Sequence, residues 1–240
     1  MNPNRPGARN RRPLVVVAVL AVLAVAGLAV VYLSFFNDDA PERLALSDEP
    51  ASGAGGTAAA GLAGTWRVAP GSTAGYRVRE KLAALAAKSD AVGRSPAVTG
   101  SVTIEGAGAA HTAAEARVEV DLTQLESDES RRDNRIRSDG LQTNQFPKAT
   151  FVTTKPITLP AETAGGQKVK TTAEGNLTLH GVTKLVQIPL DVQVGDGRGE
   201  IVGSLGFPMS DFDITPPSIG GFVTVDPDAT LEFRLILEKA

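Results

Sequence analysis

The run Ala113–Leu122, AAEARVEVDL, decides the fold. Ala114, Ala116, Val118, Val120 and Leu122 share one side, and Glu115, Arg117, Glu119 and Asp121 share the other. A period of two marks a strand with one dry face and one wet face. The pattern returns at the C-terminus, where Leu231, Phe233, Leu235 and Leu237 oppose Glu232, Arg234 and Glu238. It returns again over Lys184–Val194 as Val186, Ile188, Leu190, Val192 and Val194.

Less regular stretches at Trp66–Arg79, Val98–Glu105, Ala149–Thr154, Val169–Leu179 and Arg198–Phe207 bring the expected count to about eight strands. Gly165-Gly166 and Gly195-Asp196-Gly197 punctuate them as turns. Two segments break the pattern: Lys81–Lys88 has helical propensity, and Ser127–Arg137 predicts a short helix capped by Ser127 or Asp128. Strands this long and one-sided predict an all-β domain, an extended eight-stranded antiparallel barrel rather than a sandwich. About eight strands leave a lumen that side chains fill or that holds one slender ligand.

At the other end of the chain, Leu14–Leu33 reads LVVVAVLAVLAVAGLAVVYL, without charge or proline. About twenty such residues suffice for a transmembrane helix. Arg5, Arg9, Arg11 and Arg12 precede the run, and Asp38, Asp39 and Glu42 follow it. The basic flank predicts a cytoplasmic N-terminus and a domain outside the cytoplasm. The competing reading is a cleaved signal peptide, whose apolar region is usually about 7–15 residues. The length of this run, and its exit through Tyr32, Leu33, Phe35 and Phe36, favours an uncleaved anchor. The expected organisation is a basic N-terminus over 1–13, an anchor over 14–36, a flexible linker over 37–64 and a barrel over 65–240.

Composition narrows the function. Twenty-four basic residues nearly balance 27 acidic ones, so no strongly basic face points to nucleic acid. With no cysteine, the exported domain must be held by its core rather than by disulfides. The two histidines, His111 and His180, are far apart in sequence, and no paired ligands at metal spacing and no nucleophile elbow occur. Asp211, Asp213, Asp226 and Asp228 match no calcium-loop signature. Neither a metal nor a cofactor is expected. His180, at a strand end, reads as a structural or solvent-facing histidine.

The basic run Arg131, Arg132, Arg135 and Arg137 around Asp133 has two readings. Either it is a loop-helix whose Arg132 and Asp133 hydrogen-bond the backbone of neighbouring loops and close one barrel end, beyond local surface pairs worth little, or an arginine here, Arg132, meets a phosphate or quinone carbonyl at the mouth. Val118, Val120, Phe151, Leu177, Leu179, Ile188, Leu190, Val192, Phe233 and Leu235 are core positions in any such fold. Aromatics are 5% of the chain and many inward positions are small, which favours a hollow core without settling it.

Particular motifs resemble a known family. Ser130–Arg137 (SRRDNRIR) followed by Phe146–Phe151 (FPKATF) resembles the "RD…L…FP…F" signature of the YceI-like family. Gly175–Lys184 (GNLTLHGVTK) is similar to its "G-L-T-h-x-G-V-T-K" strand pair, and Gly64–Ser72 (GTWRVAPGS) resembles its opening. Ser210-Asp211-Phe212 lies where the family usually carries R-x-D-F-G. Two departures stand out: Ala69-Pro70-Gly71-Ser72 replaces D-P-x-H-S, and Glu80 stands where a second histidine often sits. Lys81–Pro96 also reads as an insertion of helical character.

The resemblance implies a lipocalin-like barrel whose lumen holds an isoprenoid chain, of a polyprenyl lipid or an isoprenoid quinone, without enzymatic activity. On it, the ten core positions above become ligand-lining residues and Arg132 a head-group contact. The expected partners are that lipid and the membrane, with no nucleic acid; homodimerisation stays open. One rival is an envelope interaction protein with a filled core, binding through loops such as Thr215–Phe222. A second rival is an enzyme acting on a lipid through Asp133 or His180.

Overall fold

The computed structural model describes residues 40–48, 61–82, 88–108, 110–195, 197–219 and 223–240. The expected anchor and most of the expected linker lie outside them. Among the described residues no helix is long and apolar enough to cross a membrane.

Eight antiparallel strands close a barrel in the order β1 (Gly64–Val68), β4 (Val98–Ala107), β5 (Ala110–Asp121), β6 (Lys148–Thr153), β8 (Val169–Leu179), β9 (Val182–Gly195), β10 (Arg198–Pro208) and β12 (Val223–Lys239). The ring shuts where Trp66–Val68 pair with Leu237–Lys239. Nearer its start, β12 pairs instead with β2 (Thr73–Leu82), which pairs on with β3 (Lys88–Ser95). Short strands β7 (Ile157–Leu159) and β11 (Ser218–Ile219) add to β5 and β12.

Three local features explain departures from the expected strands. The first expected strand breaks into β1 and β2 at Pro70-Gly71, where Gly71 takes φ +91°. The Ser72 hydroxyl pins that corner, donating to the Ala69 carbonyl at 2.8 Å and accepting from the Ile236 amide at 2.9 Å. In β5 the pairing slips from Thr103↔Glu115 to Ile104↔Ala113, so Ala114 is an unpaired bulge. The strict alternation expected there therefore fails: Ala113 and His111, not Ala114, are buried. In β12 the pairing with β2 slips between Val225 and Ala229, around Pro227, which has no amide hydrogen to give a ladder.

The expected helical insertion is corrected as well. Lys81 belongs to β2 and Lys88–Ser95 form β3, so this segment is largely a β-hairpin; residues 83–87 lie outside the described set. The short helix near Arg132 is present as α1 (Ser130–Arg135), followed by a π-turn over Ile136–Gly140. Its cap is neither Ser127 nor Asp128 but Glu129, whose carboxylate accepts from the Arg131 amide at 3.0 Å. Ser127 instead donates its amide and hydroxyl to Asp133, at 3.0 and 2.6 Å.

The wet face of β12 is wet only in part. Glu232 and Arg77 point outward yet are only 2% and 6% exposed, and they pair with each other at 3.3 Å. Arg94 joins Glu232 at 2.8 Å. The cover is the stretch 40–48, which was expected to be free linker. The carbonyls of Pro41 and Glu42 accept from Arg77 and Arg94, each at 2.6 Å, and Ser47 bonds to Glu200. That stretch crosses the outer wall from β2 and β3 to β10.

Candidate ligand-binding lumen

The inward side chains leave the barrel hollow. Two chambers lie end to end, with atom-free space of about 1040 and 1110 Å³, part of it open to solvent. Each is many times larger than the space one water needs. The chambers share Ala74, Val120, Ala149 and Leu231, which form a waist between them.

The chamber of about 1110 Å³ is lined at its end by Trp66, whose indole N–H donates to the Leu62 carbonyl at 2.8 Å. Its wall is hydrocarbon from Ile104, Ala113, Ala173, Val194 and Leu237, with Thr150 and Thr171 the other polar side chains. The other lies beneath α1 and the π-turn, and adds Tyr76, Met209, Ile214 and the charged Glu80, Arg132 and Arg135.

The structure places every expected lining residue on this lumen. Val118, Phe151, Leu177, Ile188, Leu190, Val192, Phe233 and Leu235 face the Trp66 chamber, Val120 faces both, and Leu179 and Arg132 face the Tyr76 chamber. Sequence reading passed over Trp66, Tyr76, Ala113 and Ile201. Tyr76 and Val78 share the alternation of β2 and were legible in principle; Ala113 was hidden by the bulge.

Glycine keeps the lumen open. A Cβ on Gly203 would lie 2.5 Å from Phe233 Cζ, and one on Gly175 would lie 2.5 Å from Phe151 Cζ. Each ring therefore sets its outer edge over a bare backbone position on the wall. With any larger residue beneath it, the ring would be displaced toward the lumen.

At the Tyr76 end, each of the three guanidinium nitrogens of Arg132 has a partner. Its Nε and Nη2 reach the two oxygens of Glu80 at 3.1 and 3.2 Å, and Nη1 reaches Asp128 at 2.5 Å. Burial works against its charge, but the hydrogen bonds and charges of Glu80 and Asp128 outweigh this and hold it protonated, above its ordinary value. Arg135 is paired with Asp139 at 2.8 Å. Tyr76 has its hydroxyl buried and, among the described residues, without a hydrogen-bond partner. Burial pushes that hydroxyl well above its ordinary titration range, while Arg132 pulls the other way.

The residues considered for catalysis sit elsewhere. Asp133 is held by Ser127 within the α1 turn, and His180 occupies the turn between β8 and β9 at φ 51°. His180 Nδ1 lies 3.1 Å from the Phe212 carbonyl, and its ring packs on Phe146 at 4.5 Å. Neither residue lines a chamber. Among the described residues no three His, Asp or Glu side chains gather closely enough to share a metal.

A closed antiparallel barrel with a long hydrocarbon lumen defines a calyx-type fold suited to holding an elongated apolar molecule. The chain belongs to the YceI-like domain family, which it matches over residues 66–237. It is 37% identical to a UPF0312 protein of Vibrio parahaemolyticus over 123 residues, 48% of this chain and 60% of that protein. It is 38% identical to a UPF0312 protein of Shewanella over 114 residues, 43% of this chain and 54% of that protein. The chain thus spans less than two thirds of the length of these curated relatives.

Among solved structures, it superposes on a polyisoprenoid-binding domain from Saccharophagus degradans with a TM-score of 0.57 at 17% identity. That match covers 74% of this chain and 99% of the other. A Campylobacter jejuni YceI protein gives a TM-score of 0.50 at 17% identity, covering 62% and 84%. At such identity these two likenesses speak for the fold.

Proposed function

We propose that this protein is a membrane-anchored, extracytoplasmic carrier that sequesters an isoprenoid chain in its barrel and works by binding rather than catalysis. The observation that carries the reading is the apolar, two-chambered lumen, hollow from Trp66 to the cover at Arg132. The polyisoprenoid-binding character of the Saccharophagus domain with the same fold supports the ligand class. The run Leu14–Leu33, with arginines before it and acids after it, supports the anchor and the outward orientation.

Burying each methylene from water is favourable by about 0.8 kcal/mol, so a polyprenyl tail has ample driving force to leave water. A bilayer offers the same tail nearly the same relief. Retention in the lumen therefore rests on shape: a slender branched chain fits between walls kept clear by Gly175 and Gly203. Holding the barrel at the membrane places it at the source of its ligand.

The test is mass spectrometry of lipid extracted from the purified full chain, beside a variant with Ala113→Phe and Ala173→Phe filling the Trp66 chamber. A near-stoichiometric isoprenoid series in the wild type, lost in the folded variant, is the expected result. Equal retention by both proteins would overturn the lumen as the binding site.

A further inference from the structure

The Tyr76 end of the lumen is built for a particular kind of head group. Two arginines reach this chamber, and each is already paired with a carboxylate. Arg132 gives Nε and Nη2 to Glu80 and Nη1 to Asp128 and Ser127. Arg135 gives Nη1 to Asp139. The carboxylates of Glu80, Asp128 and Asp139 cancel the two guanidinium charges, and Asp133 stands close by on α1. Among the described residues lining the chamber, a phosphate meets no cation that lacks a carboxylate partner. It also faces Glu80, whose side chain is 13% exposed and lines the same chamber.

A different group in the chamber is unspent. The Tyr76 hydroxyl is buried and, among the described residues, has no partner. A buried hydroxyl without a hydrogen bond is costly, and such groups normally find protein or solvent partners. Its ring lies across the facing strand at Gly93, where an added Cβ would sit 2.7 Å from the hydroxyl oxygen, so the backbone there has been left clear for it. Burial keeps the group protonated and therefore able to donate.

We infer that this protein selects isoprenoids whose head is uncharged and offers an acceptor oxygen, such as a quinone carbonyl or a prenyl alcohol, and discriminates against phosphorylated heads. Tyr76 donates to that oxygen, Glu80 holds Arg132 out of reach of an anion, and the tail extends past the waist toward Trp66. This rests on the reading of the lumen as an isoprenoid site and adds the head-group class to it. The position where the resemblance leads one to expect a histidine carries Glu80 instead, and here that residue neutralises the mouth.

The test is competition among four probes of comparable chain length offered to the full chain in detergent micelles: a tetraprenyl benzoquinone, geranylgeraniol, geranylgeranyl diphosphate and a head-less C20 isoprenoid hydrocarbon. Native mass spectrometry counts which adduct is retained. The wild type is expected to keep the quinone or the alcohol over the diphosphate by about tenfold or more, and the larger of those two adducts names the head. Tyr76→Phe should lower retention of the uncharged heads by about three- to tenfold, the span of one hydrogen bond, and leave the hydrocarbon unchanged. Glu80→Gln should raise diphosphate retention by freeing the Arg132 fork.

Diphosphate held as well as the quinone and the alcohol by the wild type would overturn the inference, as would an equal effect of Tyr76→Phe on all four probes. Binding of the hydrocarbon without head discrimination would overturn it while leaving the lumen reading intact. Failure to bind any probe would overturn both.

Discussion

Ser47 and Glu200 lie 153 residues apart in sequence, yet the Ser47 amide donates to one carboxylate oxygen at 3.1 Å and its hydroxyl donates to the other. Arg234 completes the set on Glu200, whose side chain is 3% exposed. Burial alone would raise this carboxyl. The Ser47 hydrogen bonds and the Arg234 charge more than offset it and hold Glu200 below its ordinary value of 4.5. A depressed carboxylate contributes stability that is present above its unfolded value and is lost as pH falls through the folded one. The contact between 40–48 and the barrel wall should therefore be intact at neutral pH and release only below pH 4.5. The backbone amide resonance of Ser47, followed through an acid titration, checks this. A midpoint at or above 4.5 would contradict it, and Ser47→Ala, which removes only the hydroxyl donor and keeps the amide, should move the transition to higher pH.

A buried pair and an exposed pair on the same wall should behave very differently. Glu232→Gln leaves Arg77 buried and only partly neutralised, which is expected to cost about 3–5 kcal/mol. Asp191→Asn breaks a pair with Lys170 whose partners are 44% and 85% exposed, and should cost about 1 kcal/mol or less. Chemical denaturation of both variants measures the contrast. Equal effects would mean that the cover over Glu232 admits water.

Much of this architecture was legible because alternation reports strand and face directly. The eight barrel strands fall near their expected places, and Val169–Leu179 coincides with β8. Alternation is blind in three circumstances met here. It passes through a bulge between two chemically identical residues, Ala113 and Ala114. It misses a strand such as β3, KSDAVGRS, in which polar and small residues dominate. It also says which face a residue takes but not what covers that face. Glu232 thus read as solvated, because its cover comes from 40–48, in a segment whose Ala, Pro and acidic residues suggested a free linker. Arg132 was singled out as either a structural or a head-group residue. Its partner Glu80 was visible only as a departure, since pairing across the barrel mouth leaves no trace in local spacing.

The glycines beneath the lumen rings make a size-sensitive prediction. Gly203→Ala places a methyl 2.5 Å from Phe233 Cζ and 2.9 Å from Leu190 Cδ2, so the ring must leave the wall. Overpacking of this kind typically costs about 1–3 kcal/mol. The displaced ring also narrows the Trp66 chamber. Thermal unfolding and the amount of co-purified lipid should fall together. Restoring space with the double variant Gly203→Ala, Phe233→Leu should recover both, and lipid content unchanged in the single variant would mean that the chain does not pass Phe233.

Trp66 is the only tryptophan and is 1% exposed at the far end of the lumen, which makes its fluorescence a reporter of ligand direction. It pairs with Lys239, whereas Tyr76 pairs with Leu231, eight positions earlier on β12. That separation is roughly 26 Å along the strand, less where the strand bends. A ligand with its head at Tyr76 and its tail toward Trp66 places the two ends at very different distances from the indole. Heavy-atom quenching acts only near contact, so an isoprenoid brominated at the tail terminus should quench Trp66 strongly. One brominated beside the head should leave it nearly unchanged. The opposite pattern would reverse the ligand in the barrel and leave the Tyr76 hydroxyl facing tail rather than head.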